Sequence, residues 1–355
     1  MIPKNIEAVT PAWLSEVLAQ SVVDFQATQI GQGVGIMGDI FSVKISYAED
    51  ANGPSSVVVK LPSSFEENRA QGVALGMFEA EVRFYNEMAE LVTTGLPKIY
   101  RADIESGTAD FVIVMEDLSD LYMVEQITGM SAAEAQRAVT VLAHIHATWW
   151  NKAQGDDLAW IPSMVGDRIA MVDQLLIQLL PPFLQNFGDR LPAGGSQVYE
   201  AFTGNYLKIN QALAARSPWT LAHQDFRVEN MLFHPSEDQV VVIDWQGIGR
   251  GPGAYDLGYL LGGSMDTEQR RQHEAALTKT YHDTLINLGV SDYSYQQLWQ
   301  DYAHAQLMGG LATSMVTGGG MDLSNERGVE LIATMASRHA QAALDHDGLT
   351  ILSNL

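Results

Sequence analysis

Apolar residues change their spacing along this chain, and each change predicts an element. Behind Thr10-Pro11, an N-cap residue followed by proline at the first helical position, Trp13, Leu14, Val17 and Leu18 form one face and predict a short helix. From Phe25 to Val59 the pattern becomes short β-type runs, Gln29-Ile30, Ile40 to Tyr47 and Val57-Val58-Val59-Lys60, separated by glycine-rich or polar turns. That predicts a small antiparallel sheet. Met77, Phe78, Val82, Phe84, Tyr85 and Met88 then recur at helical spacing between Ala74 and Leu91, and Phe111 to Met115 reads as a buried strand. After Leu118 helical periodicity dominates: Ser131 to Trp150 opens with a Ser131/Glu134 capping box, and Thr267 to Leu288, Ser294 to Val316 and Ser324 to Asp345 follow. A β-hairpin interrupts them, with Met231-Leu232-Phe233 and Val240 to Ile243 flanking a polar turn. The composition shift at Glu116 to Asp120 predicts an α+β chain of two lobes. Residues 1–118 make a sheet with one main helix, and 119–355 a larger, mainly helical lobe.

Composition narrows the function classes. Hydrophobic residues at 46% and charged residues at 18% describe a folded globular chain, and 355 residues suit two lobes. With 43 Asp and Glu against 20 Lys and Arg, the net charge of −23 disfavours nucleic acid and anionic membrane as partners. The excess suits either solubility in a salty environment or a cationic substrate. The absence of cysteine excludes disulfides, thiolate metal sites and cysteine nucleophiles. The amino-terminal Met-Ile-Pro-Lys-Asn-Ile-Glu lacks a basic start and apolar core, and no apolar run is long enough to span a bilayer, so a cytoplasmic protein is expected.

The chemistry concentrates in His223-Gln224-Asp225-Phe226-Arg227-Val228-Glu229-Asn230, followed after the hairpin by Ile243-Asp244-Trp245. Phosphoryl transfer requires a carboxylate beside the attacking hydroxyl, plus carboxylate and amide oxygens to hold magnesium against nucleotide phosphates. Asp225 supplies the first, Asn230 and Asp244 the second. A loop carboxylate capping a turn is the blander alternative. A site of this kind also needs a glycine loop over the phosphates, a strand lysine and a helical glutamate. Gly31 to Gly38 lies between β-type runs, with Gly33, Gly35 and Gly38 placed to let backbone N–H groups approach phosphate oxygens. Lys60 ends a strand, and Glu81 shares the stripe of Met77, Phe84 and Met88, with Glu79 the alternative partner. In Met115-Glu116-Asp117-Leu118 the backbone at Glu116 and Leu118 is placed to meet adenine. His144 and His146 fit a satisfied helical core better than a metal site, and His282 and His304 lack ligand spacing.

This ordered set resembles the aminoglycoside phosphotransferase and choline kinase superfamily over nearly the whole chain. Its ecdysteroid-kinase-like branch is the nearer likeness, on Phe78-Glu79-Ala80-Glu81-Val82-Arg83-Phe84-Tyr85, Leu142 to Trp150 and Ile243-Asp244-Trp245-Gln246. The resemblance implies a protein-kinase-like two-lobed fold, with residues 1–118 as the nucleotide-binding lobe and 119–355 carrying the catalytic loop and acceptor site. It implies magnesium (Mg2+) and ATP as cofactors, and a small-molecule hydroxyl as acceptor. It also implies that His223 orients the catalytic loop and that Asp256 braces it from a following helix. The pattern usually has glycine where this chain has Gln224, and aspartate where it has Glu229.

Trp245-Gln246 after the metal-binding aspartate, with no later Ala-Pro-Glu, argues against a protein substrate. The expected acceptor is a predominantly apolar alcohol of sterol or terpenoid type, with Trp299, Tyr302, Gln306, Met308 and Met315 walling its site. Alternatives are a hydroxyacyl-coenzyme A kinase, an aminoglycoside or macrolide phosphotransferase, or a nucleotide-binding pseudokinase scaffold. Those side chains serve equally well as core.

Overall fold

Thr10 accepts the Trp13 N–H at 3.2 Å and opens α1 (Pro11–Leu18) as its sequence predicts. The computed structural model describes residues 2–31 and 38–355, so Gly33 and Gly35 lie outside the described residues. The chain folds into two compact units, Met1–Leu121 with Val241–Gly247, and Tyr122–Val240 with Ile248–Leu355.

The first unit is built on an antiparallel sheet of β1 (Val22–Ile30), β2 (Gly38–Tyr47), β3 (Ser56–Pro62), β4 (Ile99–Ile104) and β5 (Phe111–Glu116), in the order β1-β2-β3-β5-β4. β4 carries no clear apolar signal in the sequence, because Arg101 and Asp103 interrupt its pattern. Because side chains alternate along a strand, Val57, Val59 and Leu61 join Leu14, Leu18, Val112 and Val114 in a core on the α1 face. Lys60 therefore points to the opposite face. The single helix expected from Ala74 to Leu91 is broken. Gly76, at φ +66°, separates α2 (Glu66–Ala74) from α3 (Met77–Arg83), a conformation open to glycine at little cost. The helix then widens into a π-helical turn, Phe84–Met88.

The second unit is mainly helical. It opens with β6 (Tyr122–Met123), then α4 (Ala132–Trp149), whose capping box at Ser131 and Glu134 forms as expected. α5 (Asp167–Phe187), α6 (Gly195–Phe202) and α7 (Tyr206–Ala214) lead to β7 (Trp219–Ala222) and β8 (Met231–Phe233). The hairpin turn closes where His234 N–H donates to Gln239 O at 3.0 Å, and β9 (Val240–Val242) carries the chain back into the first unit. β10 (Gly249–Pro252) pairs antiparallel with β7, and β6 with β8. Next come α8 (Ala254–Ser264), α9 (Thr267–Asn287), α10 (Tyr295–Ala305), α11 (Gly309–Gly319), α12 (Glu326–Asp345) and α13 (Gly348–Ser353). The helix expected over Ser294 to Val316 is thus two, interrupted at Gln306 to Met308. The core unites Phe183 and Phe187 of α5, Tyr199 and Phe202 of α6, Leu311 and Met315 of α11 and Ala336 of α12. Among the described residues, no helix is long and apolar enough to cross a membrane.

Candidate functional site

In the first unit, Lys60 lies 2.7 Å from Glu81 Oε2 and 3.1 Å from Asp244 Oδ1. Register places Lys60 opposite Ile40 and Ile113 in the middle of the sheet. Burial alone would lower the pKa of its ammonium, but Asp244 and Glu81 outweigh burial and raise it above the ordinary lysine value. Burial pushes the Glu81 carboxyl up, against the pull of Lys60. The Trp245 backbone also donates a hydrogen bond to Glu81, and the Trp245 indole stacks on Phe84 at a centroid distance of 3.9 Å. Glu81 and Phe84 thereby hold the segment that presents Asp244. Glu79 faces elsewhere and accepts from Ser106 Oγ at 3.0 Å.

Gly38 begins β2, where a Cβ would come within 2.9 Å of the Leu61 carbonyl oxygen, so glycine permits close approach of the strands. Glu116 is committed to the sheet: its N–H donates to Lys98 O at 2.9 Å and its carboxylate accepts from Lys98 N–H at 2.8 Å. Its N–H is therefore already used, while Leu118 O accepts from Leu121 N–H at 2.9 Å.

In the second unit the loop after β7 is organised by Asp256 of α8, which is fully buried. Its Oδ2 accepts His223 N–H at 2.7 Å and its Oδ1 accepts Gln224 N–H at 2.9 Å. Behind it, His146 Nε2 lies 3.2 Å from Asp256 Oδ2, and His146 Nδ1 lies 2.7 Å from the Tyr281 hydroxyl. His146 is thus a satisfied core histidine, as its helical setting suggested. Gln224 adopts φ +67° and its side chain accepts from Arg168. His223 is buried, and its Nδ1 accepts Asp225 N–H at 3.3 Å.

The Asp225 carboxylate is held by several donors. Asn230 Nδ2 donates to Oδ2 at 2.9 Å and to the Asp225 backbone oxygen at 2.8 Å; Arg227 Nε reaches Oδ2 at 3.3 Å. The Tyr259 hydroxyl donates to Oδ1 at 2.8 Å. Arg227 also pairs with Glu229, whose Oε1 accepts Gln126 N–H at 3.1 Å. Burial lowers the pKa of the Arg227 guanidinium, but Asp225, Tyr259 and Glu229 raise it overall. Arg227 and Tyr259 were missed in the sequence; the faint signal for Tyr259 is its position three residues after Asp256, on the same helix face.

Asn230 commits its nitrogen to Asp225, which leaves Oδ1 as its coordinating atom. Asp244 offers carboxylate oxygens. Each is an oxygen donor of the kind a hard divalent cation takes. Among the described residues, no group of three His, Asp or Glu side chains is placed to hold a metal ion.

The expected acceptor wall needs correction. Tyr302, Met308 and Met315 are fully buried, and the Tyr302 hydroxyl donates to Glu274 Oε2 at 2.9 Å. Gln306 is buried and donates to Tyr302 O at 3.3 Å. Trp299 lies among the rings of Tyr295, Tyr302 and His346. Tyr302 of α10, Met315 of α11, and Gln306 and Met308 between the two helices pack the helical core, and Trp299 is half-buried beside them.

Comparison with known proteins adds lineage to this geometry. The ecdysteroid kinase-like family pattern matches residues 32–290. An uncharacterized kinase-like protein of Caenorhabditis elegans is 23% identical over 235 residues, 62% of this chain, and the match spans only 60% of that protein's length. Solved structures with this fold include aminoglycoside phosphotransferases and choline and ethanolamine kinases. Choline kinase from Cryptosporidium parvum aligns at TM-score 0.55 and 10% identity, over 92% of this chain and 90% of its own. Amicoumacin kinase, solved with AMP-PNP, Ca2+ and its Ami ligand, aligns at TM-score 0.53 and 13% identity, over 90% of each chain.

Proposed function

The chain belongs to the ecdysteroid kinase-like family, and we propose that it transfers the γ-phosphoryl group of ATP to a hydroxyl of a small molecule. The observation that carries this reading is the Asp225 carboxylate, held by Asn230, Arg227 and Tyr259 on a loop braced by Asp256. Asp225 orients the acceptor hydroxyl and receives its proton. The acceptor oxygen forms a bond to the γ-phosphorus as the bond to the β,γ-bridging oxygen breaks, and ADP leaves with that electron pair. Lys60, kept charged by its two carboxylates, positions the nucleotide phosphates. Asn230 and Asp244 are the residues that would each offer an oxygen to magnesium, which when bound would supply charge neutralisation at the phosphates. Gly38, at the start of β2, is assigned to the phosphates, and the backbone near Glu116 and Leu118 to adenine through groups other than the Glu116 N–H.

For the acceptor, the family's description supports a predominantly apolar alcohol of steroid type. ATP consumption is to be measured against sterols, terpenoid alcohols, hydroxyacyl thioesters, amino alcohols, macrolides and aminoglycosides. Turnover confined to the apolar alcohols is expected. Efficient turnover of aminoglycosides beside inert apolar alcohols would overturn the acceptor class, and no ATP turnover with any compound would overturn the transferase reading itself.

A further inference from the structure

Each carboxylate oxygen accepts about two hydrogen bonds. At Asp225, Oδ2 already has two donors, Asn230 Nδ2 at 2.9 Å and Arg227 Nε at 3.3 Å. Oδ1 has one among the described residues, the Tyr259 hydroxyl at 2.8 Å. Asp225 is partly exposed, with its side chain at 34%, so the remaining lone pair on Oδ1 is the place for an acceptor hydroxyl. From this asymmetry we infer that Tyr259 is the positioning residue of the transfer step, its phenol fixing Asp225 so that Oδ1 meets the acceptor. The inference rests on the transferase reading of Asp225.

Tyr259 is itself firmly placed. Its side chain is 2% exposed, its ring stacks along Tyr255 and tilts against His339, and its hydroxyl also hydrogen-bonds Thr313 of α11. It stands on α8 three residues after Asp256. One helix thus holds the backbone of the catalytic loop through Asp256 and its working side chain through Tyr259. Burial, with Asp225 beside it, raises the phenol's pKa well above its ordinary value, so the group stays a donor.

The test compares four full-length proteins: wild type, Tyr259→Phe, Asp225→Ala and the double variant. Magnesium-ATP is the probe, with water as the acceptor and then with any alcohol that the screen identifies. Tyr259→Phe is expected to lower kcat about tenfold, the scale of one hydrogen bond to a charged group, with KM for ATP within about twofold. In the Asp225→Ala background it should cause no further loss, and the fall in melting temperature that it causes in the wild type should disappear. Equal losses in both backgrounds, an unchanged kcat, or a defect confined to KM for ATP would overturn the role of Tyr259 and leave the transferase reading standing. A wild type inactive with every acceptor would overturn both.

Discussion

Lys60 divides one ammonium between Glu81 and Asp244, so its removal leaves two carboxylates close together with one of them buried. Breaking a buried ion pair by removing one partner costs about 3–5 kcal/mol. Lys60→Met should therefore lose roughly 3 kcal/mol of stability in denaturant titrations as well as turnover, and Glu81→Gln should act in the same direction more mildly. Glu79→Gln, at a half-buried position away from Lys60 and bonded to Ser106, should stay within about 0.5 kcal/mol of wild type. If Glu79→Gln reproduces the Lys60 defect, the assignment of Glu81 fails. This distinction was legible in sequence because Glu81 shares the helical stripe of Met77 and Phe84. The same letters could not show that Tyr259 and Arg227 grip Asp225, since those bonds depend on tertiary placement. Gln224 falls between: its departure from the family's usual glycine was visible, and the structure explains why that place suits glycine. The backbone there is left-handed at φ +67°, a conformation that costs an ordinary residue about 1 kcal/mol and is held here by the two N–H bonds to Asp256.

α8 shows how an element transmits packing to this loop. Every residue from Ala254 to Ser264 is buried, and its glycines admit neighbours closely: a Cβ on Gly258 would meet Ala305 Cβ at 2.8 Å, and one on Gly263 would meet His339 Nε2 at 2.3 Å. The apolar pattern marked out the long amphipathic helices well. It merged α10 with α11 and carried α3 back through Gly76 to Ala74, leaving the rest of α2 out, because period alone does not show where Gly76 turns left-handed or where Met308 leaves helical geometry. His339 of α12, packed against α8, gives this interface a pH dependence. Burial, then the nearby cations Arg338 and Arg270, pull its pKa from 6.5 down to about 3. Below pH 6.5 the unfolded chain takes up a proton that the folded chain refuses, so stability present above pH 6.5 is lost progressively towards pH 3. At pH 5 the loss from this group is about 2 kcal/mol, at 1.36 kcal/mol per pH unit. His339→Leu should flatten the fall of stability between pH 7 and pH 5 relative to wild type, whatever its effect at pH 7. An unchanged slope would show that the ring is not kept neutral in the fold.

At the scale of the whole molecule, the residues proposed for nucleotide binding and for transfer fall in different units. Lys60 and Asp244 are 184 positions apart in sequence yet belong to one unit, because Val241–Gly247 returns to the sheet that Met1–Leu121 begins. Asp225 and Asn230 belong to the other. If the first set grips nucleotide phosphates and Asp225 acts on the acceptor, binding and turnover should separate by mutation. A ligand that binds only the folded state at about 100 times its Kd stabilises by about 2.7 kcal/mol, which thermal unfolding detects. Magnesium-ATP should therefore raise the melting temperature of wild type and of Asp225→Asn alike, although Asp225→Asn should keep less than about a tenth of wild-type turnover. Asp244→Ala should lose most of the rise, and a chelator should abolish the metal-dependent part in wild type while having little effect on Asp244→Ala. A full magnesium-dependent shift in Asp244→Ala would remove this aspartate from the metal site. A shift lost in Asp225→Asn would place Asp225 in nucleotide binding, and its role at the acceptor hydroxyl would have to be withdrawn.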